Sequence, residues 1–143
     1  MRLTAGLLLV AGLAFAGAAS AEIFKKFGDY EVHYNALTTA DLAPEVAKTY
    51  GIQRSRNRGM LTVAVLKRNA LGVTQPVPAK IEAKAVNLTA QMTPIEMREI
   101  KEQAAVYYIG DFPLATEVLR FEIRVMPEGA AGPHQFGFER RFY

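Results

Sequence analysis

From Gly28 to Ala36 the chain alternates, with Tyr30, Val32, Tyr34 and Ala36 on one side and Glu31, His33 and Asn35 on the other. Period two in aromatic and branched residues predicts a half-buried strand. Asp41-Leu42-Ala43-Pro44 then opens a short helix, because proline's fixed φ suits the first helical turn and its missing N–H costs nothing there. Val46, Ala47 and Tyr50 give that helix an apolar side, and Gly51 supplies a left-handed stop. It reads as a crossing element between strands. After the polar, basic stretch Ile52 to Asn57, Gly59 leads into Met60-Leu61-Thr62-Val63-Ala64-Val65-Leu66, mostly apolar on both faces, as a central strand is when protein covers both sides.

Gly72 to Pro78 holds two prolines and a glycine and reads as a loop or sheet edge. Lys80-Ile81-Glu82-Ala83-Lys84-Ala85 alternates again, and its frame shifts at Val86 and Leu88, which suggests a bulge or a strand bending from one sheet to another. Thr93-Pro94-Ile95-Glu96 carries two signals. Threonine cap, proline and glutamate spell a helix start, while Ile95, Met97 and Glu99 alternate with Glu96, Arg98 and Ile100 as a short strand would. Strand neighbours favour the strand. Val106, Tyr107, Tyr108 and Ile109 form a second central strand within Ala104 to Phe112. Leu119, Phe121, Ile123 and Val125 alternate with Arg120, Glu122 and Arg124 as the cleanest amphipathic strand. Met126-Pro127-Glu128-Gly129 closes it as a turn with proline second and glycine fourth, and Phe136, Phe138 and Phe142 share one face near the end. Six or seven strands and one short helix, at this spacing, predict a mainly β fold: an antiparallel β-sandwich, immunoglobulin-like.

The N-terminus departs from this pattern. Arg2 precedes an apolar run from Leu3 to Phe15 with Thr4 as its one polar residue, and small residues follow from Ala16 through Ala21. That order is the order of a secretory signal peptide. Ala19-Ser20-Ala21 fits a signal peptidase, so residues 1–21 are expected to be removed and residues 22–143 to form one domain. The run falls short of the ~20 residues that span hydrocarbon, and no later segment approaches that length. The expected location is the periplasm, with no membrane span after cleavage. Half the chain is apolar and 22% charged, which excludes disorder and collagen-like repetition. Cysteine is absent, and with it thiol catalysis, thiolate metal sites and lipoprotein attachment. Lys and Arg total 17 against 14 acidic residues, too small an excess to mark a nucleic-acid binder.

Phe27-Gly28-Asp29-Tyr30-Glu31-Val32-His33-Tyr34-Asn35-Ala36, Val106-Tyr107-Tyr108-Ile109-Gly110, Val125-Met126-Pro127-Glu128-Gly129 and the closing Phe142-Tyr143 resemble an exported proteobacterial family, domain of unknown function 4426. The similarity runs over essentially the whole mature chain. It implies an exported, mostly β domain without an assigned activity and carries over no catalytic residue.

The side chains available for chemistry are few. Only His33 and His134 offer imidazole, and Glu31 and His33 share a strand face, so Glu31, His33 and His134 are the candidate metal ligands if the two histidines converge. A solvated polar face is the bland alternative. Met60, Met92, Met97 and Met126 form no clustered repeat and read as core filling. Beyond Ser20, Ser55 is the only serine, set among arginines with no strand-to-helix elbow, so no acyl-transfer triad is built. No tryptophan offers a sugar platform, and the carboxylates alternate with Lys and Arg as exposed cross-strand pairs. There is no phosphate loop or dinucleotide fingerprint. No cofactor and no enzymatic activity are expected.

Gln53-Arg54-Ser55-Arg56-Asn57-Arg58 is the densest charge feature. If extended, Arg54, Arg56 and Arg58 project from one face as a row of planar donors that can grip phosphate or carboxylate groups. Asn87-Leu88-Thr89 matches a glycosylation acceptor but reads as incidental in a bacterial export chain. An outer-membrane barrel ending in Phe142-Tyr143 would need eight strands and would turn Arg140 or Arg141 to lipid, which argues against it. The sequence therefore favours a non-catalytic binding or interaction module of the cell envelope, acting through an edge strand, the arginine row or both. Its partner would be an envelope protein or an anionic envelope component, without nucleic acid. The alternative is a metal- or small-ligand-binding periplasmic protein using the Glu31/His33 strand face.

Overall fold

The computed structural model describes residues 23–115 and 117–143. The expected signal peptide, residues 1–21, lies outside the described residues. In chain order the strands are β1 (Ile23–Phe27), β2 (Tyr30–Thr38), β3 (Arg58–Arg68), β4 (Thr74–Pro76), β5 (Ala79–Val86), β6 (Met92–Ile95), β7 (Arg98–Glu102), β8 (Ala105–Pro113), β9 (Glu117–Pro127) and β10 (His134–Phe142). Among the described residues one α-helix, α1 (Pro44–Tyr50), follows a 3-10 turn at Thr39–Asp41.

The strands form two antiparallel sheets. The first runs β1-β2-β3-β8-β7, with β4 also paired to β3; the second runs β10-β9-β5-β6. The alternation along β9 turns Leu119, Phe121, Ile123 and Val125 inward, all buried, and these meet Val32, Tyr34, Leu61, Val63 and Val65 of the first sheet. The predicted sandwich is the fold the chain adopts. Its aromatic centre is Phe121, fully buried, edge-on to Phe112 at 5.2 Å between ring centroids and stacked on Phe138 at 4.9 Å. Such pairs add about 0.5–1.5 kcal/mol to what area burial alone supplies.

The local signals held at several points. Pro44 begins α1 and Gly51 ends it in the left-handed conformation, φ 66°. The 93–95 segment is strand. The helix does connect two strands. It joins β2 to β3, adjacent strands of one sheet, and lies on that sheet's outer face, where Leu42 and Ala47 bury Met60 and Ile109. The frame shift at Val86 and Leu88 is a hairpin turn: the Asn87 side-chain oxygen accepts hydrogen bonds from the Thr89 and Gln91 backbone N–H groups, and β5 pairs with β6 directly. This turn chemistry also accounts for Asn87-Leu88-Thr89. The strand that changes sheets is the next one, where the chain leaves β6 and enters β7 through Glu96 and Met97. The turn after β9 is one residue later than predicted, with the Ala130 N–H bonded to the Pro127 carbonyl and Gly129 at φ 82°. Met60 fills the core, whereas Met92 and Met126 lie exposed.

Two glycines set how closely the elements approach. A Cβ on Gly59 would collide with the Phe112 ring, so the ring covers the bare strand beside it. A Cβ on Gly110 would lie 2.6 Å from the Glu96 carbonyl oxygen, so Gly110 is where the β6–β7 passage crosses β8. That passage closes one side of the sandwich with covalent chain. On the other side β1 and β10 are the edges of their sheets, and aromatic side chains bridge the layers: Phe27 of β1 on His134 at 4.5 Å, and Tyr34 of β2 on Phe136 and Phe138 at 4.8 and 4.6 Å.

Candidate functional site

Glu31 and His33 do share the outer face of β2, as the alternation requires. Glu31 is nearly buried, and its carboxylate accepts a 2.6 Å hydrogen bond from Arg68 Nη2, while His33 Nε2 lies 3.4 Å from the other oxygen. Phe24 stacks on the His33 ring at 5.0 Å. The Arg68 hydrogen bond holds the Glu31 carboxyl below its ordinary range, against the opposing effect of burial. His134 does not join them. Its ring packs on Phe27 and Tyr30, in the seam between the sheets, so the two histidines sit on different layers. Among the described residues no group of three or more His, Asp or Glu side chains is placed to hold a metal ion. Arg68, which the sequence pattern does not single out, is the closer of the two partners that Glu31 has.

The three arginines are not a row. Arg54 folds back, Nε donating to the Leu42 carbonyl at 2.7 Å and Nη2 to the Ala40 carbonyl at 3.0 Å, which clamps the chain entering α1. Arg58 begins β3 and bonds Asp111 Oδ2 on β8 through both Nε (2.9 Å) and Nη2 (2.5 Å). Between them the backbone turns, with the Asn57 N–H bonded to Ser55 Oγ at 3.0 Å, and Arg56 is left exposed. The single-faced array required an extended backbone, and the turn at 55–57 removes it. Spacing of two in sequence carries no information on side-chain direction where the chain is not a strand.

A second, half-buried polar group ties α1 to the sheet. Tyr50 donates to Glu102 Oε1 at 2.5 Å and Tyr107 to Glu102 Oε2 at 3.1 Å, while Arg98 donates to the Tyr50 carbonyl. Burial, with the carboxylate behind it, raises both phenols. On the inner face Tyr108 donates to Glu99 and accepts from the Ala79 N–H at 2.7 Å, and burial together with Glu99 pushes its pKa up to about 12. These carboxylates are spent on holding the fold.

What remains open is the second sheet. Its outer face is a shallow concavity of about 640 Å³ lined by Lys84, Pro94, Arg120, Glu122, Arg124 and Gly137, among others. Glu122 is shared between Lys84 at 3.2 Å and Arg120 Nε at 3.7 Å. The concavity ends at β10, which has β9 as its one strand neighbour. Along β10, Phe136, Phe138 and Phe142 turn into the sandwich and Gln135, Glu139 and Arg141 turn out, on the face of Arg120 and Arg124. The other edges are shorter: β1 and β7 have five residues each and β6 four, one of them Pro94.

The family described as Domain of unknown function (DUF4426) matches residues 24–143. The chain belongs to the DUF4426 family. A crystal structure of a DUF4426 protein from Pseudomonas aeruginosa is similar to this DUF4426 chain at 32% identity and a TM-score of 0.73, over 85% of this chain and 94% of that one. Among curated proteins none matches. The resemblance drawn on residues 27–36, 106–110, 125–129 and 142–143 is therefore borne out. In this DUF4426 domain those segments are the β1–β2 hairpin with Gly28 at φ 61°, the central strand β8, the end of β9 and the end of β10.

Proposed function

We propose that this DUF4426 chain is an exported, non-catalytic binding module of the cell envelope that takes up an extended segment of a partner protein as an added strand along β10. The observation that carries this reading is the nine-residue edge of β10, which has a strand on one side only. The far side of such a strand presents unpaired backbone N–H and C=O groups, and an incoming segment that satisfies them gains its affinity from main-chain hydrogen bonds. Proteins commonly blunt such edges with charge. Here the strand's own charged residues, Glu139-Arg140-Arg141, guard one half, and the other half, His134-Gln135-Phe136-Gly137-Phe138, has no Lys, Arg, Asp or Glu of its own. The apolar inner positions of that half continue the aromatic seam of Tyr34, Phe136 and Phe138. Export rests on the charge, apolar run and small-residue motif of residues 1–21. Among the described residues no helix is long and apolar enough to cross a membrane.

An anionic envelope component is a weaker partner for this surface, because two of the three clustered arginines already serve Leu42, Ala40 and Asp111. A photo-crosslinking side chain at Gln135, with one at Lys101 on β7 as control, tests the reading in living cells. The expected result is an adduct from 135 whose crosslinked peptide, added to the purified protein, slows hydrogen exchange along β10. Adducts no stronger from 135 than from 101, or exchange along β10 unchanged by the captured peptide, would overturn it.

A further inference from the structure

We propose that the segment added along β10 carries an acidic side chain opposite Gly137, held by the guanidinium of Arg120. The inference rests on the strand-addition reading and names the chemistry of the partner. Gly137 lies on the outer face of β10, across from Glu122 of β9. A Cβ built on it would lie 2.9 Å from Arg120 Nη2 and 3.2 Å from Arg120 Cζ. The missing side chain is therefore a gap, and the head of Arg120, rooted one strand in, lies over the edge strand through it.

Arg120 reaches that place with donors to spare. Its Nε is a loose 3.7 Å from Glu122 Oε1, and the same carboxylate serves Lys84 at 3.2 Å. Among the described residues no carboxylate meets its terminal nitrogens, and the side chain is about half exposed. A strand laid beside β10 would run about 4.8 Å from it, with the residue opposite Gly137 turned to the same face. A carboxylate there meets a planar guanidinium at close quarters, the pairing in which two parallel N–H···O bonds form. Both sheets of the domain are antiparallel throughout, and antiparallel addition fixes the neighbouring positions. The residue opposite Glu139, two places before the acid in the partner, is best basic. The residue opposite Gln135, two places after it, is best neutral and polar. The residues between them face inward over Phe136 and Phe138 and are best apolar.

The test uses three capped synthetic peptides of sequence Thr-Lys-Val-X-Val-Gln-Thr, with X as Glu, Gln or Lys, titrated into the purified protein by fluorescence anisotropy and followed by hydrogen exchange on β10. A cross-strand charge pair at an exposed site contributes up to about fivefold in affinity. The Glu peptide is expected to bind about fivefold more tightly than the Gln peptide, the Lys peptide most weakly, with the difference shrinking as salt is added. Arg120→Gln and Gly137→Ala, the second of which displaces the guanidinium, are each expected to make the three peptides equivalent. Equal affinities on the wild-type protein, or a preference for Glu that survives Arg120→Gln, would overturn the acidic partner and leave strand addition standing. If none of the three slows exchange along β10, both readings fall together.

Discussion

Gly110→Ala tests the passage of chain between the sheets. Gly110 sits inward on β8, opposite Leu61, beneath the segment that leaves β6 and enters β7. An added methyl carbon would stand 2.6 Å from the Glu96 carbonyl oxygen, 2.7 Å from Ile95 Cγ2 and 2.7 Å from Met97 Sδ. The Met97 sulfur can swing aside, but the carbonyl belongs to the backbone joining two sheets and cannot move without shifting the register of β6 or β7. Overpacking of a tight site costs about 1–3 kcal/mol, and a backbone obstacle places this substitution at the upper end. For a domain of this size each kcal/mol lowers Tm by about 4 °C, so a fall of about 12 °C is expected. Gly132→Ala is the control, since nothing lies within 4 Å of its Cβ position; a change within about 0.5 kcal/mol is expected there. Urea unfolding of both variants beside the parent, with unchanged slope, provides the measurement. A Gly110→Ala protein that melts within 2 °C or so of the parent would refute the claim that the crossing is packed backbone to backbone.

The remaining expectations concern charge. Because the Glu31 pKa is lowered, the stability it adds is present above its unfolded value near 4.5 and lost as pH falls through the lower folded value; the Tm gap between the parent and Arg68→Gln should be constant above pH 5 or so and close on further acidification. Tyr108 is raised, so its contribution is complete below about 10 and disappears as pH climbs toward about 12. The phenolate absorbance lost in Tyr108→Phe should therefore develop only with alkaline unfolding, and ionisation near 10 in a folded protein would contradict its burial. Arg54→Gln should cost about 1 kcal/mol by freeing two carbonyls while Arg56→Gln costs nothing, as thermal melting can compare. Zinc at 100-fold above a real Kd would add about 2.7 kcal/mol of stability; with Glu31 bonded to Arg68 and His134 in another layer, no such shift in melting is expected.

Legibility followed the kind of signal each segment carried. Leu119 to Val125 could be read from sequence because a strand with one buried face repeats every two residues, and α1 because proline and glycine fix φ at its two ends. β1 was missed because Ile23-Phe24-Lys25-Lys26-Phe27 pairs along one edge only and is largely exposed, leaving no clean alternation. β4 is three residues ending in proline and is set by its neighbour β3, not by its own composition. The sheet change at Glu96–Met97 was placed one hairpin too early, since a break in period does not distinguish a turn from a crossing. The site was less legible than the fold. The Glu31/His33 pair follows from period two, but its partner Arg68 is brought by the β2–β3 pairing, and Arg54 reaches carbonyls that no residue code records. In the sequence Gly137 is only a small residue between Phe136 and Phe138; the pairing of β9 with β10 reveals what lies above it.

The order of strands has a consequence for how this molecule comes apart. The chain passes from the first sheet to the second after β4, returns after β6 and leaves again after β8. Neither layer is written in one stretch of sequence: β3 waits for β8, which arrives only once half of the opposite layer has been made, and β5 waits for β9. A nascent chain therefore holds incomplete layers until its last third emerges, and a cut at any of the three passages strands hydrogen-bonding partners on separate fragments. Interleaving of this kind makes the domain one indivisible cooperative unit, with non-local pairings that slow its folding and bind its two layers to a common fate.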